Sequence, residues 1–122
     1  MEFVGISIIT NNVPLLVDFY CKILNTRSEG DDYHAEIKTT GASLTIFCVE
    51  GMEEMAPGSM HGAGSGNFTV GVKVDQVDEA YERIKGMDIE ILKLPQSYPW
   101  GTRSFWFRDP DGNIVNFFGA SI

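Results

Sequence analysis

Residues 99–118, PWGTRSFWFRDPDGNIVNFF, hold the reading from which the rest of the fold follows. Two β-rich runs, Thr102 to Arg108 and Asn113 to Phe118, flank a DPDG turn. Pro110 and Asp111 suit the central positions of a type I turn, and Gly112 suits the left-handed residue that closes it, which pairs Asp109 with Asn113. A turn type determines which residues of two strands stand opposite one another. Counting outward therefore sets Trp106 against Asn116 and Ser104 against Phe118. Alternation then gives Trp106, Ser104, Asn116 and Phe118 one face of the hairpin, and Phe105, Phe107, Val115 and Phe117 the other. Phe118 lies at the fraying end of its strand, where a bulge exchanges its role with that of Phe117.

Upstream, Asn67 to Val74 alternates as a strand and Asp75 is placed to cap a helix. That helix carries Val77, Ala80, Tyr81 and Ile84 on one face and ends at Gly86. A strand near Asp88 to Leu94 completes a β-α-β-β-β unit. The first half repeats this order. Phe3 to Ile9 is β-rich, and Asn11, Asn12 and Pro14 announce a helix whose apolar face holds Leu15, Leu16, Phe19, Tyr20, Ile23 and Leu24. Strand-like stretches follow at Thr26 to Gly30, Tyr33 to Lys38 and Ser43 to Val49. A turn at Thr40-Gly41 pairs Lys38 with Ser43, which sets Glu36 against Thr45 and His34 against Phe47 and leaves Ala35, Ile37, Leu44 and Ile46 as the core face.

Between the halves, EGMEEMAPGSMHGAGSG (residues 50–66) is rich in Gly and Met without period and reads as a mobile connection. The expected organisation is one α+β domain over residues 1–122, with module one at about 1–50, a link at about 51–66 and module two at about 67–122. Each module alone leaves a curved sheet with one helix and one bare face, so pairing the two closes that face into a cleft for a ligand.

At 122 residues with 43% apolar content, the chain can build one sizeable core without disulfide or metal staples. Its start, MEFVGISII, lacks the features of a signal peptide, and no apolar run approaches membrane-spanning length, so a soluble cytoplasmic protein is expected. Cys21 and Cys48 have no ligand-like spacing to histidine and read as free buried thiols. A formal net charge of −8 and a pI near 4.5 argue against nucleic acid and anionic membrane as partners. The acidity suits a cationic ligand, and it equally serves solubility. GAGSG (residues 62–66) leads into a strand and lacks the helix N-terminus that a phosphate loop needs.

VDQVDEAYERIKG (residues 74–86) followed by PWGTRSFWFRDPDGNIVNFF resembles the second module of the glyoxalase, bleomycin-resistance and extradiol dioxygenase superfamily, the vicinal oxygen chelate fold. Residues from Val4 through FYCKIL (residues 19–24) resemble its first module more loosely. The PWG and DPDGN elements resemble most the bleomycin-resistance-like, metal-free branch. The resemblance implies two βαβββ modules around a cleft and commonly a homodimer. In metal-using members, four inward-pointing His or Glu side chains hold a divalent ion, and the corresponding positions here are Gly5, Thr45, Thr69 and Asn116. None carries imidazole or carboxylate, so no metal and no other cofactor is expected.

If Asn116 faces the cleft as its family counterpart does, Trp106, Ser104 and Phe118 face it too. In the first module the same reasoning gives His34, Glu36, Thr45 and Phe47, with Ser7 added by alternation from Gly5. The expected ligand-binding set is thus Ser7, His34, Glu36, Thr45, Phe47, Thr69, Trp100, Ser104, Trp106, Asn116 and Phe118. Trp100, on a loop, is either a ligand or a dimer contact. Arg103 meets a ligand carboxylate or a surface acid, and His61 either closes over a ligand or lies in solvent. No catalytic residue is defined. The reading is a metal-free protein that binds a small organic molecule, cationic or aromatic, with antibiotic sequestration as a role. The alternative is a lyase, isomerase or dioxygenase with a relocated metal site, for instance His34, Glu36 and His61, or with none. A module that binds another protein through the same cleft is a third reading.

Overall fold

In a computed structural model of the chain, residues 1–121 are described, and they divide into two compact units, residues 1–63 and residues 64 onward. The first unit contains β1 (Gly5–Thr10), α1 (Val13–Leu24), β2 (Ser28–Gly30), β3 (His34–Ile37), β4 (Ser43–Cys48) and α2 (Val49–Met55). The second contains β5 (Thr69–Lys73), α3 (Val77–Lys85), β6 (Ile91–Ser97), β7 (Thr102–Arg108) and β8 (Ile114–Ala120). Each sheet has four strands, ordered β1-β4-β3-β2 and β5-β8-β7-β6. In both, the first strand pairs parallel with the last and the remaining pairings are antiparallel. The fold class is α+β, two mixed four-stranded sheets with helices, in the order the sequence predicts.

Local chemistry explains the boundaries. Asn12 caps α1 by accepting the Leu15 N–H at 3.1 Å, with a proline in the first turn, and Asn25 ends the helix in the left-handed conformation. The helix buries Val13, Leu16, Tyr20 and Ile23, spaced three, four and three residues apart. That stripe is narrower than expected and leaves Leu15, a quarter-turn off its axis, 47% exposed. Its partners are Ala35, Ile37, Leu44 and Ile46, which form the core face as predicted. Each fully buried aliphatic side chain contributes about 1.5–3 kcal/mol.

Four expectations are corrected. The stretch after β4 is not irregular throughout, because Cys48 caps the short helix α2 by accepting the Gly51 N–H at 3.2 Å. Cys48 and Cys21 are free but half-buried rather than buried. Asp75 does not cap α3, since the N-cap is Gln76 with no side-chain cap bond. The strand expected near Asp88 starts at Ile91, because Asp88 takes a left-handed backbone (φ 56°) in a turn. Its pairing with β7 then shifts twice, between Ile91 and Lys93 and between Lys93 and Gln96. Pro95 has no N–H to give a ladder, and β6 is the edge strand, where proline and bulges are tolerated.

The β7–β8 hairpin forms as its turn chemistry predicts. Gly112 closes the turn at φ 90°, and Asp109 N–H reaches Asn113 O at 2.9 Å. The Asp109 carboxylate accepts from the Asp111 and Asn113 backbone N–H groups and from Asn113 Nδ2, each at 2.9 Å. Trp106 stands opposite Asn116 and Ser104 opposite Phe118. On the other face Phe105, Phe107, Val115 and Phe117 are buried against α3, with the Tyr81 ring edge-on to Phe105 at 5.4 Å.

Candidate functional site

The face of the second sheet opposite α3 carries a cavity of about 400 Å³ lined by Tyr98, Trp100, Thr102, Ser104, Trp106, Asn116 and Phe118. Five of these, Trp100, Ser104, Trp106, Asn116 and Phe118, belong to the set expected from sequence. Trp106 and Asn116 face one another across the β7–β8 pair, and Ser104 and Phe118 do so one step along. Trp100 is 73% exposed and stacks on Tyr98 with ring centres 4.7 Å apart and planes 10° from parallel.

Two polar atoms in this wall are buried without a partner among the described residues, the Trp106 indole N–H and the Asn116 side-chain oxygen. An unsatisfied buried polar group costs about 1–3 kcal/mol. One is a donor and the other an acceptor, and they sit on directly opposed residues. Chemically the wall offers flat aromatic surface, with an unpartnered donor and an unpartnered acceptor buried just behind it.

Lys93, from β6, stands opposite Trp106 in the sheet. Its ammonium donates to Ser104 O at 2.8 Å and Ser104 Oγ at 3.1 Å, and lies over the Tyr98 ring at 4.9 Å and the Trp106 ring at 5.6 Å. Sequence reasoning missed Lys93, Tyr98 and Thr102. The two register shifts in β6 hide Lys93 from simple alternation, and Tyr98 reads as loop punctuation in SYPWG. The aromatic density of residues 98–106 was the available signal.

The candidates of the first unit share the face of its sheet opposite α1, where the Ser7, Thr45 and Glu36 side chains are already engaged. Ser7 and Thr45, paired in register, hydrogen-bond to one another through their hydroxyls. Glu36, opposite Thr45, takes Lys38 at 3.2 Å and the Ser43 hydroxyl at 3.4 Å. Glu29 and then Glu36 raise the Lys38 ammonium pKa above its ordinary value. His34 meets the Phe47 ring edge-on at 5.6 Å. Tyr33 donates to Glu54 at 2.8 Å, which pushes its phenol up to about 12. Thr69 is exposed and opposite Ile114, outside the cavity lining. Arg103 pairs with Asp78 of α3 at 2.9 Å, the surface alternative of its two readings. His61 is exposed in the segment after α2.

The four positions that the resemblance aligns with metal ligands do not fit a metal ion. Gly5 has φ 151°, and a Cβ there would run into the Ser43 carbonyl oxygen, so the position excludes a ligating side chain. Thr45 is bonded to Ser7, and the partner of Asn116 across the parallel pair is Gly71, not Thr69. Among the described residues no three of His, Cys, Asp and Glu come together as a metal-holding group, so His34, Glu36 and His61 do not assemble one. No described helix is long and apolar enough to cross a membrane.

Comparison with known proteins agrees with this architecture. The uncharacterized protein YraH of Bacillus subtilis (strain 168) is 23% identical over 125 residues, covering 97% of this chain and 98% of that one. The solved glyoxalase/bleomycin resistance protein/dioxygenase family enzyme from Burkholderia phytofirmans PsJN superposes with a TM-score of 0.87 at 14% identity, over 97% of this chain and 98% of that one. A glyoxalase/bleomycin resistance protein/dioxygenase from Nocardioides gives 0.82 at 21% identity, over 98% and 84%. The model of the Glyoxalase/Bleomycin resistance protein/Dioxygenase superfamily matches residues 3–117, and the chain belongs to that superfamily.

Proposed function

We propose that this protein binds a small aromatic molecule without altering it, using the face of the second sheet opposite α3 and no metal ion. The supporting observation is a cavity walled by the four aromatic side chains of Tyr98, Trp100, Trp106 and Phe118. Holding a compound such as an antibiotic out of circulation needs affinity and no reacting group, which is what this wall supplies. The two free thiols suit a reducing compartment, the cytoplasm.

Titrating bleomycin and a panel of planar aromatics, followed by tryptophan fluorescence and by mass spectrometry of the recovered compound, tests the reading. Saturable binding with unchanged compound is expected. Conversion of the compound would establish the enzymatic alternative, and absence of any binding would end the proposal. Elemental analysis of protein purified without chelator is expected to find far less than one divalent ion per chain.

Trp106→Ala is expected to weaken binding by about 2- to 30-fold, the equivalent of about 0.5–2 kcal/mol of stacking and polar contact. Retained affinity in a folded variant would remove Trp106 from the site. Assembly as a homodimer belongs to the same reading, with two equivalent sites related by symmetry. Light scattering should then give twice the chain mass of 13.5 kDa, and a monomer at micromolar concentration would contradict it.

A further inference from the structure

The overall acidity points toward a cationic ligand, yet the charge is not evenly spread. Residues 1–63 carry three basic and nine acidic side chains, a balance of −6, whereas residues 64–122 carry six and eight, a balance of −2. Within the second unit, Asp78, Glu79 and Glu82 lie on α3, which packs on the opposite face of the sheet from the cavity. Asp75, Asp88, Asp109 and Asp111 lie in bends and turns, and Glu90 pairs with Arg108. On the cavity face, strand register places Lys73 beside Phe118 and Lys93 beside Trp106. Neither lysine makes an ion pair among the described residues.

Lys93 is also held in place. Two of its three N–H groups are directed at Ser104, and the Tyr98 and Trp106 rings flank the ammonium, so three cavity-lining residues border it. A cation fixed at the aromatic wall, with no carboxylate to neutralise it, repels a second cation and attracts an anion.

We propose that the ligand class of this cavity is a planar aromatic anion, with its ring against Trp106 and its carboxylate or phenolate oxygen toward Lys93. This rests on the small-molecule-binding reading above and specifies the charge of what is bound.

The test compares three probes of one shape, 2-naphthoate, 2-naphthamide and 2-naphthylmethylammonium, by nitrogen-15 NMR titration of the intact protein, with the Trp106 indole N–H as reporter. Naphthoate is expected to bind about tenfold tighter than the ammonium probe, with the amide between them. In Lys93→Met, which keeps the aliphatic stem, naphthoate should fall by about threefold, to the affinity of the amide. Equal or tighter binding of the ammonium probe overturns the charge inference while leaving the binding reading standing. So does an unchanged preference in folded Lys93→Met. If no probe moves the Trp106 signal, both fall. The comparison on unaltered protein decides the matter should the variant fail to fold.

Discussion

Replacing Phe105 with alanine is expected to lower folding stability by about 3–5 kcal/mol, a large fraction of the total for a domain of this size. The ring is 0% exposed and lies within 5.4–5.7 Å of Tyr81, Phe107 and Phe117, so its removal leaves a cavity that three large neighbours cannot collapse to fill. The adjacent residue behaves differently because the strand turns it to the other face. Trp106 is half-buried beside the cavity, and its alanine variant should retain more stability and lose affinity instead. Urea denaturation of the two variants checks the contrast. A Phe105 variant as stable as the parent, beside an unfolded Trp106 variant, would reverse the assignment of faces.

Asp109→Ala is expected to cost about 2–5 kcal/mol, because it strands three donors that one carboxylate now satisfies. Asp109 is 4% exposed and Asn113 equally so, which keeps water from replacing the lost acceptor. Asp109→Asn should lose less, since its amide oxygen still accepts the backbone N–H groups while its NH₂ confronts Asn113 Nδ2. Denaturation midpoints in the order parent, asparagine, alanine are the expected result. An alanine variant within about 0.5 kcal/mol of the parent would show the turn to be held by Gly112 and the ladder alone. The hairpin sets Trp106 against Asn116, so a folded alanine variant with a slipped register should also lose the cavity.

What the residues settled by themselves were features written in short-range chemistry. DPDGN determines its own turn, and with it the opposition of Trp106 to Asn116 and Ser104 to Phe118. Alternation in β3 and β4 sets Ala35, Ile37, Leu44 and Ile46 inward, and Asn12 with Pro14 starts α1. Each signal acts within a few residues, where steric and hydrogen-bonding rules leave one outcome. The arrangement around Lys93 is of another kind. A register shift between Ile91 and Lys93 in an edge strand brings the ammonium to Trp106, and a loop stacked through Tyr98 and Trp100 sets a second ring beside it. No local pattern encodes that sum, because a bulge reverses the facing of every residue after it. The exclusion of a side chain at Gly5 was equally invisible. Sequence shows only that the residue is glycine, whereas the Ser43 carbonyl that requires it comes from a strand 38 residues along the chain, brought there by the parallel pairing of β1 with β4.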